Sequence, residues 1–247
     1  MKMKTRFIVI LLCGIWLTLS ALEPVYYWNF DSNPPHSIGR NKNRFWGEIT
    51  PSVGINGSGG MLCGKGRKYN TSSSSGISGP FTVELKFKSD STGCTGTLFT
   101  YDRNSYKRGQ FLLRLKPDGR ISAEFSHRSD SGEELLKSFS ADTSPNRLTA
   151  GQWYTVRVSS ISGGEMKIYL DNRMILAKQN ALDFSDLAGT LGNNYPLFVI
   201  GNDISSAKAM EGNYFSGIID ELKIWNQVVE PAVSDTIANT RSQNDPN

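Results

Sequence analysis

The sequence predicts an all-β fold, built as a sandwich or a barrel. Three observations carry that expectation: repeated runs in which apolar and polar residues alternate, turn residues between those runs, and only minor helical signals. About a dozen short strands spaced by turns is the pattern of sandwiches and barrels.

The elements follow in chain order. VYYWNFD at 25–31 and the short GMLC stretch supply the first two strands. FTVELKFK at 81–88 puts Phe81, Val83, Leu85 and Phe87 on one face and Thr82, Glu84, Lys86 and Lys88 on the other, the period of a half-buried strand. QFLLRLK at 110–116 runs into Pro117-Asp118-Gly119, and RISAEFS at 120–126 alternates again through Ile121, Ala123 and Phe125. Proline fixes φ, aspartate bonds its own backbone and glycine takes positive φ, so the three together make a turn. WYTVRVSSI at 153–161 turns at Ser162-Gly163-Gly164 into EMKIYLD at 165–171, and Asp171-Asn172 starts a tight hairpin into RMILA. PLFVIGN at 196–202 and YFSGIIDELKIWN at 214–226 end the series. ALDFSDLAG at 181–189 suits one or two helical turns, and Pro231 suits the first position of a short C-terminal helix. With no repeat or linker in the body, the division is a leader at 1–20, one domain at 21–230, and a short helix with a loose tail at 231–247.

The leader has three parts. Lys2, Lys4 and Arg6 precede a 13-residue apolar run at 7–19, and Thr18, Ser20 and Ala21 give small residues at its exit. That is the layout of a secretory signal peptide, and the run is too short to span a bilayer, which needs about 20 apolar residues. The expected location is secreted or extracellular, or periplasmic in a bacterium. Removing the leader leaves 24 basic and 23 acidic residues, so the formal +4 falls to +1. A general nucleic-acid binder needs a positive field that this chain lacks. Removal also leaves two cysteines, Cys63 and Cys94, in glycine-rich surroundings. In an oxidising compartment the expectation is a disulfide between them, against the alternative of two separate buried thiols.

GTLFTYDRN, GQFLLRLKPDGRISAEF and LTAGQWYTVRVSSISGGEMKIYLDNRMIL together resemble the strand core of laminin G-like domains. Trp153 and Asp171 hold two landmarks of that pattern, with Tyr154 where the family often has histidine and Asn172 where it often has glycine. YYWNFD and FSGIIDELKIWNQVV resemble the flanking strands of the wider concanavalin A-like lectin and glucanase group, including pentraxin-like modules. The resemblance spans nearly all of 25–230. It implies a jelly roll of two antiparallel sheets with the first and last strands adjacent.

Glycosidases of this fold need two carboxylates about 5–10 Å apart, and their E-x-D-x-x-E strand pattern is missing. Glu133-Glu134 are adjacent in a polar loop, and His36 and His127 have no placed acid or nucleophile beside them in sequence. The expectation is no enzyme activity. Packing is the expected role of Trp28, Trp46, Trp153 and Trp225. Two polar loop regions carry the kit for holding sugar hydroxyls: Tyr101, Asp102, Arg103 and Asn104 with Lys107 and Arg108, and Asn193, Asn194 and Tyr195 with Asn202 and Asp203. Lys65, Arg67 and Lys68 add a basic group suited to sulfated glycans, as in laminin G-like domains. The expected function is a secreted, non-catalytic carbohydrate-binding module. The alternatives are a structural or adhesion module that binds an extracellular protein and, behind it, a glycosidase.

The resemblance also implies a structural calcium where the first and last strands meet, at Asp31 and Asp220. Asp220 sits in an apolar strand, where a lone carboxylate is costly to bury without a metal or a donor. A second calcium at the rim, as in laminin G-like and pentraxin-like relatives, meets a departure from their pattern: Gln110 stands near where many laminin G-like domains carry a ligand aspartate, and the acidic cluster of the pentraxins is reduced to Asn202-Asp203.

Overall fold

The alternation read from the sequence becomes two antiparallel sheets. The computed structural model describes residues 22–32, 38, 45–46, 51–56, 59–64, 69–71, 77–90, 94–102, 109–128, 134–146, 148–187, 197–203 and 213–231. The leader and the C-terminal tail lie outside these residues. The strands are β1 (Tyr26–Trp28), β2 (Phe45–Trp46), β3 (Pro51–Val53), β4 (Gly59–Cys63), β5 (Tyr69–Thr71), β6 (Phe81–Ser89), β7 (Gly96–Asp102) and β8 (Gly109–Leu115). They continue as β9 (Ile121–Arg128), β10 (Leu135–Asp142), β11 (Trp153–Ser160), β12 (Glu165–Leu170), β13 (Arg173–Gln179), β14 (Leu197–Ile200) and β15 (Gly217–Trp225).

One sheet runs β13-β12-β11-β6-β15-β4-β3, with β1 also paired to β15; the other runs β10-β9-β8-β7-β14-β5-β2. The inward faces meet in a single core. Phe81, Val83, Leu85 and Phe87 of β6 and Val156 and Val158 of β11 are fully buried, facing Phe99 of β7, Phe111 and Leu113 of β8 and Phe198 of β14. Aromatic rings fill much of the space between the sheets. Phe81 lies parallel on Phe184 with centroids 3.9 Å apart, and Phe111 meets Phe125 at 4.9 Å, the latter within the range of favourable ring pairs. Phe184 belongs to a 3-10 turn, Phe184–Leu187, inside the stretch expected to be helical.

Three expectations are corrected or refined. LLKSFSAD at 135–142 forms a full strand, β10, at the edge of the second sheet, where most of its residues are exposed and alternation is weak. The disulfide between Cys63 and Cys94 is not formed. Both are buried thiols: Cys63 Sγ lies 3.7 Å from the Met61 carbonyl and fills the space where a side chain at Gly201 would stand. Tyr101 is a core residue and not part of a polar rim. Phe99 and Tyr101 point inward together, and the Tyr101 hydroxyl donates to the Ile77 carbonyl at 3.1 Å.

The termini of the sandwich meet as the resemblance implies. On one flank of β15, Gly217 to Ile219 pair with β4, and Leu222 to Ile224 pair with β1. Between them the strand bulges at Asp220–Lys223, with Glu221 at φ 52°. A bulge re-aims side chains and leaves ladder groups unpaired. Asp220 lies in that gap. Trp225 closes the strand with its indole N–H donating to the Leu22 carbonyl at 2.8 Å, and Trp28 is wholly buried, both as packing tryptophans.

Candidate functional site

The outer face of the second sheet is mostly polar, Leu112 excepted, because β8 and β9 alternate. Gln110 and Arg114 point outward between Phe111, Leu113 and Leu115, and Ser122 and Glu124 point outward between Ile121, Ala123 and Phe125. At one end of this face is a cleft of about 320 Å³ lined by Thr95, Gly96, Arg114, Lys116, Asn213 and Tyr214, among others. That volume is at the small end of ligand sites.

Arg114 is the centre of the arrangement. Its Nη1 lies 3.5 Å from Glu124 and its Nη2 3.6 Å from Asp203. Both separations exceed the 2.7–2.9 Å or so of a charge-assisted hydrogen bond, so the guanidinium is paired electrostatically and only loosely bonded. Its Nε is buried without a hydrogen-bond partner among the described residues, as is Oγ1 of Thr97, which stands opposite Arg114 in the β7–β8 ladder. Opposite residues in an antiparallel pair share a face. Two neighbouring buried polar atoms therefore have unused bonding capacity behind the cleft, a condition that calls for bound water.

Lys116 closes the other side. Its ammonium is 2.7 Å from Asp142 and 3.5 Å from Glu124. The Asp142 bond holds Lys116 above its ordinary value. Burial pushes Asp142 up, but the bonds from Lys116, Ser122 and Ser140 outweigh it and keep the carboxyl below the usual range.

Asp203 reaches the site through a corner. Gly201, at φ 70°, turns the chain after β14, with its N–H on the Leu98 carbonyl and its carbonyl accepting from Phe215. Thr100 then donates to the Asn202 carbonyl at 2.8 Å, and Gln110 reaches the Asp203 carbonyl at 3.4 Å. Asn213 bonds both carboxylate oxygens of Asp203. Of the residues expected from sequence, Asn202 and Asp203 are thus buried at this corner, and only Asp203 meets Arg114. Asp102 is the last residue of β7. Arg103, Asn104, Lys107, Arg108, Asn193, Asn194, Tyr195, Lys65, Arg67 and Lys68 lie outside the described residues. Arg114, Lys116, Asn213 and Tyr214 were not singled out in the sequence. The available signal was the arginine amid the apolar FLLRL run.

The strand junction forms a second polar cluster. Asp220 is 2% exposed and accepts from the amides of Ile55 (3.0 Å) and Glu221 (2.7 Å). Burial pushes its carboxyl up to about 6; those amides pull it down, and the charges of Glu221 and Asp31 push it up. Asp31 accepts from Gly59 N–H at 2.6 Å and from the Asn29 amide. A Cβ at Gly54 would stand 1.9 Å from the Gly59 carbonyl oxygen and 2.4 Å from Asp220 Oδ2. A carbonyl and a carboxylate oxygen thus press close against Gly54, the oxygen chemistry that suits calcium. Among the described residues no three His, Cys, Asp or Glu side chains group tightly enough to hold a metal by themselves. A calcium here would take carbonyl oxygens and water as well.

A family model described as the concanavalin A-like lectin/glucanases superfamily matches residues 64–233. This chain belongs to that superfamily. No curated protein sequence matches the chain. Among solved structures, domain 4 of AbnA, a GH43 extracellular arabinanase from Geobacillus stearothermophilus in complex with arabinotriose, is 18% identical with a TM-score of 0.61, covering 85% of this chain and 95% of that one. A structure of botulinum neurotoxin type C, whose cell entry depends on two ganglioside molecules, is 12% identical with a TM-score of 0.59. A botulinum neurotoxin DC binding domain in complex with rat synaptotagmin II is 11% identical with a TM-score of 0.58. This chain is covered to 84% in both cases and spans 49% of each neurotoxin chain. At these identities the shared property is the sandwich itself. Among the described residues, no helix of this superfamily member is long and apolar enough to cross a membrane.

Proposed function

We propose that this protein is a non-catalytic glycan-binding module acting outside the cell, with the cleft beside Arg114 as its binding site. The observation that carries the reading is the slack in the Arg114 pairs. A guanidinium held at 3.5 and 3.6 Å between two carboxylates offers donors and acceptors side by side. A sugar hydroxyl needs both at once. Tyr214 and Asn213 on the cleft wall add an aromatic body and an amide. The arabinotriose of the arabinanase domain and the gangliosides of the type C neurotoxin support this reading by analogy of fold. Asp203 has both oxygens bonded to Asn213 and Glu124 accepts from Ser122, an arrangement suited to holding a ligand more than to moving protons.

Export rests on the leader at 1–20. The structural calcium rests on the strand junction: Asp31, Asp220 and the Gly59 carbonyl would hold it. Bound there, it would neutralise a buried carboxylate and tie β1 and the β3–β4 hairpin to β15.

A panel of immobilised glycans tests the function. Saturable binding to at least one glycan, reduced tenfold or more by Arg114→Lys, supports it. A flat response across neutral, sialylated and sulfated glycans, with binding to an extracellular protein instead, would favour the adhesion reading.

A further inference from the structure

We infer that the cleft selects neutral sugars bearing adjacent hydroxyls and discriminates against acidic ones. This rests on the glycan reading and sharpens it to a ligand class. Two cations line the cleft, Arg114 and Lys116. Their ion-pair partners are three carboxylates, Glu124, Asp203 and Asp142. Among the described residues, the network is therefore one negative charge in excess before any ligand arrives.

A uronate, sialate or sulfate entering this cleft meets cations that are already matched. To reach Arg114 it must displace Glu124 or Asp203, and neither can leave easily. Asp203 is fixed at both oxygens by Asn213, and Glu124 is bonded to Ser122 at 2.9 Å and faces Lys116 as well. Displaced or not, the carboxylates stay within the network and repel the newcomer at low effective dielectric.

A neutral diol meets the opposite situation. One hydroxyl accepts from Arg114 and donates to Glu124 Oε2, which makes only a long 3.5 Å pair with the guanidinium. Its neighbour repeats the pattern against Lys116 or the Asn213 side. The bonds to Arg114, Glu124 and Lys116 are charge-assisted and no charge is added, so binding needs no counterion release and depends weakly on salt.

The test uses pairs of oligosaccharides that differ only in oxidation at C6: oligogalactose against oligogalacturonate, and oligoglucose against oligoglucuronate. They are titrated calorimetrically into the full mature chain at low and high sodium chloride. The expected result is binding of at least one neutral member, at least tenfold tighter than its uronate, with Kd changing less than about twofold from 20 to 500 mM salt. Glu124→Gln, which removes one excess negative charge while keeping size, should narrow that preference tenfold or more. A purely structural role for Glu124 would weaken both sugars alike. Tighter binding of the uronate, falling steeply with salt, overturns the inference while leaving the glycan reading intact. Binding of neither member of any pair by a protein that melts cooperatively and binds a sialylated or sulfated glycan of the panel overturns the inference alone, and a flat panel as well overturns both.

Discussion

Asn213 grips Asp203 twice: its backbone N–H donates to Oδ1 at 3.1 Å and its side-chain amide to Oδ2 at 2.8 Å. The carboxylate is thereby fixed opposite Arg114, whose Nη2 stands 3.6 Å away. Asn213→Ala keeps the backbone bond and removes the other. Loss of one hydrogen bond to a largely buried carboxylate costs about 1.5–3 kcal/mol. We expect a lower melting temperature and glycan affinity weakened about tenfold, read by thermal denaturation and calorimetry. A destabilised variant with unchanged affinity would mean that the clamp serves only the fold.

Gly96 makes the cleft floor possible. Its φ is 116°, and a Cβ there would stand 2.2 Å from the Tyr214 carbonyl oxygen, which is backbone and cannot swing away. Gly151 has φ 78° but open space around the same position. Gly151→Ala should cost only the strain of a positive φ, about 1 kcal/mol. Gly96→Ala should cost more than about 3 kcal/mol or prevent folding. Urea unfolding of the two variants separates the effects, and equal costs would refute the close approach.

Cys63 and Cys94 are separate thiols. Reductant should therefore leave the melting temperature unchanged. Thiol titration of unfolded protein that has never been reduced should find both residues reactive. A melting temperature that falls by several degrees in reductant would restore the bridge.

Much of this fold was legible in the sequence because packing between two sheets imposes period two. Phe81, Val83, Leu85 and Phe87 alternate because that phase places all four between the sheets. β10 was not legible, since an exposed edge strand buries little on either side and LLKSFSAD carries no clear pattern. Tyr101 was read with its polar neighbours Asp102 to Asn104, yet its phase relative to Phe99 already pointed it inward. The site was legible only at its corner, where Asn202-Asp203 follows a strand. Arg114 looked like any outward-facing residue of β8. What makes it distinctive is the meeting of Glu124 from β9 and Asp203 from beyond β14, a juxtaposition set by strand order and not by spacing along the chain. The cysteines failed for a related reason, because sequence carries no distance between their β-carbons.

The strand junction gives a pH signature. The folded Asp220 carboxyl titrates near 6, against about 3.9 in an unfolded chain. Below about pH 4 both states are protonated and the contribution to stability is complete. As pH rises from about 4 to 6 the unfolded chain loses its proton first, so stability falls, by no more than about 3 kcal/mol in all. Asp31, Glu221 and Tyr27 share this cluster: the Tyr27 hydroxyl donates to Glu221 at 2.8 Å, and its proton is held well above the ordinary tyrosine range by burial and by that bond. In metal-stripped protein with chelator, the difference in stability between wild type and Asp220→Ala should shift toward the variant as pH rises from 4 to 7. Calcium added at pH 7 should raise the melting temperature of wild type and not of the variant. A pH-independent difference, unmoved by calcium, would remove both the burial argument and the metal.

Glycan binding in the cleft fixes where a sugar must sit. The most direct measurement is a crystal structure of the mature chain with the tightest-binding oligosaccharide from the glycan panel. The predicted result is a sugar in the cleft, with adjacent hydroxyls within hydrogen-bond distance of Arg114 and Glu124 and its ring beside Tyr214. A ligand bound at full occupancy elsewhere on the sandwich, with Arg114 still at ion-pair distance from Glu124 and Asp203 and nothing between them, would contradict it.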